Sequence, residues 1–219
     1  MKQRPKAIDG ILRKSFLRVP EVIRECSGIN IFGKRIKSLV FSTDLAIIKN
    51  VSADAPQPII TQSIIMASDI PVFAGVGGGL TQGMRAVLLG TNAELQGALG
   101  VVVNAPTSDE VVSSLSEALD IPVIVTIVND QTNIHDRIEA GATIFNVSAS
   151  ADTPRIVAKI RKDYPDFPII ATGGPTEESI RKTIEAGANA ITWTPPSVSE
   201  LFKGVMNKYR DDINNVGHH

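Results

Sequence analysis

The chain of 219 residues predicts an α/β fold, a (β/α)8 TIM barrel with an N-terminal helical extension. Three observations carry that prediction. Short Val/Ile-rich runs alternate with amphipathic stretches, the pattern of a parallel sheet with right-handed crossovers. The runs are apolar throughout, as in strands covered on both faces. The length suits one barrel domain. The expected division is an extension over residues 1–37, a barrel over 38–216, and a tag remnant at 217–219, where Gly217-His218-His219 ends the sequence.

The strand candidates in order are SLVF (38–41), IPVFAGV (70–76), GVVVN (100–104), IPVIVTIV (121–128), ATIFNVS (142–148), FPIIATG (167–173) and NAITWT (189–194). The clearest helices are expected over 108–119, 132–140, 153–164 and 176–186. In the last, Thr176 is the N-cap candidate, Glu177 and Glu178 suit the positive helix end, and Gly187 stops the helix. Ile180 and Ile184 lie four apart on one face. These are seven strands where a closed barrel wants eight. A helix is expected from near Asp44 to Asn50, and another starts near Pro58. Only VSADAPQP lies between them. A barrel strand with its two loops needs on the order of ten residues. The expected explanation is that residues are missing from the sequence between Asp54 and Gln57; a seven-stranded or open variant is the alternative. SFLRVPEVIRECSGINIFGK, before the first strand, reads as helices covering the barrel bottom.

Acids and bases nearly cancel, with a formal net charge of −1. This argues against a broad nucleic-acid surface, which needs a basic excess. One cysteine, Cys26, excludes an internal disulfide framework and fits a reducing, cytoplasmic compartment. No apolar run is long enough to span a membrane, and MKQRPKAIDG lacks a signal-peptide core. Homo-oligomerisation is compatible with all of this.

In a parallel barrel, binding groups collect at the C-terminal ends of the strands whatever the reaction. Those ends offer Ser42-Thr43-Asp44, then Gly77-Gly78-Gly79, Asn104, Thr126 with Asn129 and Asp130, Asn146 with Ser148, Thr172-Gly173-Gly174, and Thr192 to Thr194. Glycines let backbone N–H groups approach an anion, and a following helix adds its dipole. Gly173-Gly174 therefore reads as a phosphate cradle or as a tight turn, with Ser197 nearby and the cradle somewhat favoured. GVGGG (75–79) reads equally as a ligand contact or as slack. It matches neither a P-loop nor a dinucleotide fingerprint. The binding candidates are Gly77, Gly78, Gly79, Asn104, Asn146, Ser148, Thr172, Gly173, Gly174, Thr194 and Ser197.

No lysine ends any of these strands, which disfavours a Schiff-base aldolase. No histidine pair or His/Cys cluster is present, which disfavours a zinc hydrolase; neither metal nor cofactor is expected. His135 reads as a surface residue of a helix. Asp44 and Asp54 are the candidate catalytic carboxylates, with Asp44 equally a helix N-cap.

The block IIATGGPTEESIRKTIEAGANAITW resembles the last two βα units of phosphate-binding barrels such as keto-deoxy-phosphogluconate aldolases and glycerol-3-phosphate-responsive antiterminators. Two features depart from that group. ATIFNVS lacks the lysine that an aldolase would place there, and Thr194-Pro195-Pro196 removes two N–H donors from the last phosphate loop. FSTDLAII, PQPIITQ, GVGGG, VVVNAPT and ATGGPTEESI together are similar to a bacterial barrel family that carries the generic label "hydrolase". In that family an apolar, aromatic stretch precedes PQPIITQ, in line with residues missing after Ala55. The resemblance implies an enzyme acting on a small anionic or phosphorylated metabolite at the C-terminal face. A non-catalytic phosphometabolite sensor of antiterminator type is the alternative.

Overall fold

The computed structural model describes residues 38–42, 45–50, 57–67, 71–174, 176–193, 203 and 206–210. The expected extension over 1–37, the carboxylates Asp44 and Asp54, the short stretch from Asp54 to Pro56, the terminal remnant, and Thr194 and Ser197 lie outside these residues.

Eight strands form a closed ring in chain order: β1 (Ser38–Ser42), β2 (Leu45–Asn50), β3 (Val72–Gly77), β4 (Gly100–Val103), β5 (Val123–Ile127), β6 (Ile144–Val147), β7 (Ile169–Thr172) and β8 (Ala190–Trp193). The six strands β3 to β8 are parallel α/β structure. The helices are α1 (Pro58–Ala67) ahead of β3, then α2 (Met84–Leu95), α3 (Asp109–Ala118), α4 (Ile134–Glu139), α5 (Thr153–Asp163) and α6 (Glu177–Glu185), one after each of β3 to β7.

The ring closes differently from eight repeated βα units. The segment expected as a helix from Asp44 to Asn50 is instead β2, which pairs in parallel with β3 through Ile48–Val72, Lys49–Phe73 and Asn50–Ala74. A four-residue apolar run such as Leu45-Ala46-Ile47-Ile48 carries no periodicity that separates strand from helix. Its backbone is paired on both sides, antiparallel with β1 and parallel with β3, and β1 closes the ring antiparallel against β8. The second strand of the ring is thus Leu45–Asn50, and the stretch over 51–56 lies outside the described residues. Lys49 consequently sits one residue from a strand end, which qualifies the expectation that no strand end carries a lysine.

Alternation within the strands builds two apolar layers. Phe73, Val102, Ile124, Ile144, Ile170 and Ala190 come from six strands and pack on one another, so they fill the inside of the ring. The opposite parity, including Val101, Val103, Val123, Val125, Phe145 and Ile169, packs with Val112, Leu115, Ile156, Val157 and Ile160 of the covering helices. The rings of Phe145 and Phe167 stack at 4.4 Å in that outer layer. At the opposite end from the strand C-termini, Arg161 ties two loops together. Its guanidinium donates to the carbonyls of Pro165 (2.6 Å), Phe167 (2.9 Å) and Gly187 (2.8 Å) and to Asn189 Oδ1 (2.6 Å).

Helix ends follow their expected chemistry. Thr176 caps α6, accepting from Ser179 N at 3.2 Å while Ser179 Oγ accepts from Thr176 N, a closed capping box. Asn133 caps α4 in the same position, accepting from the backbone of His135 and Asp136. Gly187 stops α6 with φ +103°, a conformation that favours glycine. None of the described helices is long and apolar enough to cross a membrane.

Candidate functional site

Strand parity decides what faces the ring interior near the C-terminal mouth. Two residues beyond Ile124 is Thr126, beyond Ile144 is Asn146, beyond Ile170 is Thr172, and beyond Ala190 is Thr192. Asn104 stands two beyond Val102, and Ser148 two beyond Asn146. A polar layer therefore sits directly on the apolar interior layer. Thr126 (7% exposed), Asn146 (2%) and Thr192 (4%) are buried. Asn104, Ser148 and Thr172 are half-buried.

Thr126 and Asn146 are register partners, and Asn146 Nδ2 donates to Thr126 Oγ1 at 3.1 Å. Asn146 Oδ1 and Thr192 Oγ1 are buried and meet no hydrogen-bond partner among the described residues. Buried polar groups are nearly always paired, because an unpaired one forfeits its hydration. Two such atoms thus stand on one interior layer. Of the predicted candidates, Asn104, Asn146, Ser148 and Thr172 share this face. Thr126 and Thr192 complete it; the sequence places both among the strand-end groups but not among the binding candidates, although each stands two residues beyond an interior apolar residue.

The glycine clusters have structural duties of their own. Gly78 (φ +98°) donates its N–H to Thr81 O at 2.9 Å. A Cβ on it would lie 2.9 Å from Asn104 N, so this glycine lets the loop after β3 lie against the end of β4. Asn104 N in turn donates to Gly77 O at 3.0 Å. The register shift between Gly75 and Gly77 lies in the same run. Gly79 follows with φ +70° on the surface. Gly77 is buried, and a Cβ there would stand 3.2 Å from Ala86 Cβ and 3.3 Å from Val103 Cγ1.

Gly173 N donates to Thr192 O at 3.2 Å, and a Cβ on Gly173 would lie 2.7 Å from both Ile180 Cγ1 and Ile191 Cγ2. Gly174 has φ +77°, and a Cβ there would lie 2.7 Å from Ser179 Oγ. The first glycine permits close packing of α6 on the sheet, and the second makes the turn. Glu178, on the first turn of α6, pairs with Lys182 at 2.8 Å on the surface. That hydrogen bond, with the charge of Lys182 behind it, holds its carboxyl below the usual carboxylate range.

Asn129 and Asp130 lie elsewhere than the mouth. They line a cleft of about 200 Å³ outside the ring, between the loop after β5 and α5, with His135, Lys159 and Tyr164. Asp130 there pairs with Arg155 at 2.7 Å. His135 is exposed on α4, as expected of a surface residue. Among the described residues no three His, Cys, Asp or Glu side chains are grouped to hold a metal ion.

The fold has solved counterparts. 2,3-Dimethylmalate lyase, a member of the PEP mutase/isocitrate lyase superfamily, superposes with a TM-score of 0.57 at 13% identity, covering 78% of this chain and 75% of that one. Phosphonopyruvate hydrolase gives 0.54 at 16% identity, over 77% of this chain and 70% of that one. A Pseudomonas aeruginosa protein assigned as a dihydrodipicolinate synthetase gives 0.50 at 16% identity; the match covers 60% of this chain and spans half the length of that protein. No family model matches the chain. At these identities the likeness is one of fold, an α/β barrel shared with barrel enzymes of the aldolase-like kind.

Proposed function

We propose that this chain is an enzyme that binds a small anionic or phosphorylated metabolite at the C-terminal mouth of its barrel. The observation that carries the reading is the interior polar layer of Thr126, Asn146, Thr172 and Thr192, with its two unpaired buried oxygens. It lies at the face where barrel enzymes place their sites. Phosphonopyruvate hydrolase and 2,3-dimethylmalate lyase, named for a phosphonate and a dicarboxylate, support an anionic substrate. The hydrolase-labelled family that the sequence resembles agrees with an enzyme. The turn at Gly173-Gly174 and Asn104, Ser148 and Gly77 to Gly79 belong to the rim of the proposed site, with Thr194 and Ser197 completing it. The finer architecture, eight βα units with an N-terminal extension, is proposed for a chain that includes further residues after Ala55. The proposed setting is the cytoplasm, with no nucleic-acid partner.

No interior position of β3 to β8 carries an ionisable side chain. The proposed acid–base groups are Asp44 and Asp54; Lys49 of β2 is in register with the interior residue Phe73. The same neutrality favours a second reading, a sensor that binds the metabolite without turning it over. Calorimetry with inorganic phosphate tests the anion site, and a thermal-shift panel of phosphorylated metabolites and carboxylates finds the ligand. Turnover of a panel hit that is lost in Asp44→Asn or Asp54→Asn, with binding kept, supports the enzyme. Binding without turnover supports the sensor, and no binding of any anion overturns both.

A further inference from the structure

The proposed site has a direction. We propose that the end of the ligand entering the barrel is an uncharged, hydroxyl-bearing group read by Asn146 and Thr192, while the anionic group stays outside at the rim. This rests on the reading of the mouth as an anion-binding site and deepens it.

The argument begins with hydrogen-bond inventory. Asn146 gives its amide N–H to Thr126 Oγ1 and leaves Oδ1 unpaired in the buried interior layer. That oxygen is an acceptor only. An ionised carboxylate or phosphate oxygen is also an acceptor only, so it cannot satisfy Asn146 and would repel it. Thr192 Oγ1, equally buried and unpaired, can donate or accept. Ligand hydroxyls can meet both needs, giving a proton to Asn146 Oδ1 and taking the one from Thr192.

Burial adds the second constraint. The layer beneath is apolar where β3 to β8 supply it, with Phe73, Val102, Ile124, Ile144, Ile170 and Ala190, while β2 sets Lys49 in register with Phe73. The polar layer itself is neutral at every position contributed by β3 to β8. A charge placed there would lose its hydration with no countercharge from these strands. At the rim the cost falls, because Asn104, Ser148, Thr172 and Gly174 are half-buried rather than enclosed. The ligand class is therefore a hydroxylated monoanion or monoester, such as a hydroxy acid or a polyol phosphate.

Two matched pairs of probes test this by calorimetry on the full chain: glycerol 3-phosphate against n-propyl phosphate, and glycerate against propionate. We expect the hydroxylated member of at least one pair to bind at least tenfold tighter, since a site built around a hydroxyl rejects the analogue lacking it. The margin should collapse in Asn146→Ala and in Thr192→Val. Thr192→Val keeps the side-chain shape and serves if Asn146→Ala does not fold. Equal affinity within both pairs, or a margin that survives both substitutions in folded protein, overturns the inference and leaves the anion site standing. Binding of none of the four probes, nor of inorganic phosphate, overturns the anion site and this inference with it.

Discussion

Asn146 donates its amide to the hydroxyl of Thr126 across the β5–β6 pair at 3.1 Å, with both residues buried inside the ring. The two thereby fix each other's orientation, and Asn146 Oδ1 is turned away from that bond. Thr126→Val keeps the volume and removes the acceptor. The amide of Asn146 is then left buried without its partner, at a cost of about 1–3 kcal/mol. Urea denaturation should show a lower midpoint with an unchanged slope. An unchanged midpoint would mean that Asn146 finds another partner and is not held by Thr126.

Gly173 is packed rather than merely flexible. A methyl group there meets Ile180 on α6 and Ile191 on β8, each at 2.7 Å. Gly173→Ala should force α6 off the sheet and destabilise the chain by roughly 1–3 kcal/mol, the usual cost of overpacking. In an Ile180→Ala background, which lacks the clashing Cγ1, Gly173→Ala should cost less than it does in the parent. A thermal melt of Gly173→Ala equal to the parent's would show that the strand–helix contact has slack.

How far the sequence shows this site can be read from individual positions. Asn146 and Ser148 share a parity inside an apolar run, so their common face was legible. Thr126 and Thr192 obey the same rule, but a threonine in a β-rich run reads first as a strand former. Asn129 and Asp130 follow a strand end and look like mouth residues. They turn outward because β5 ends at Ile127, and Asp130 is then claimed by Arg155 on α5. Gly78 reads equally as a ligand contact or as slack because its reason for being glycine is Asn104, twenty-six residues away. The α4, α5 and α6 boundaries were close because Asn133, Pro154, Thr176 and Gly187 are local signals. Leu45–Asn50 was misread because only its neighbours β1 and β3 decide whether it is strand or helix.

Arg161 holds the loop after α5 to the loop after α6. Asn189 Oδ1 accepts from Arg161 Nη2 at 2.6 Å and from Ile169 N at 2.9 Å, so one side chain joins α5, β7 and β8. Burial lowers the guanidinium's pKa, with Asp166 opposing that shift. Lysine keeps the charge and loses the planar fork that reaches Pro165, Phe167 and Gly187 together. Arg161→Lys should cost about 2 kcal/mol, the scale of a hydrogen bond to a charged group. Amide exchange should rise first at Ile169, whose N–H depends on Asn189. Stability equal to the parent's would show that the carbonyls are as well served by water.

The last prediction concerns pH at the outer cleft. Asp130 has its carboxyl pKa lowered, first by the hydrogen bond from Arg155 and then by the charge of that residue, with Lys159 adding a smaller attraction. A carboxylate whose folded pKa is depressed stabilises the fold above its unfolded pKa, and that stabilisation is lost as pH falls through the folded pKa. The contribution of this pair is therefore fully present at neutral pH and disappears in the acid range below the ordinary aspartate pKa. It is modest, because both side chains are more than a third exposed and salt screens them. Arg155→Ala should move the Asp130 carboxyl resonance, followed by NMR against pH, to a higher titration midpoint. The same variant should differ from the parent in stability at pH 7 and converge with it in strong acid. Raised salt should narrow the difference at pH 7. A titration midpoint that does not rise on removing Arg155 would place the cause of the shift elsewhere on the loop, in the backbone hydrogen bond at Asp130 itself.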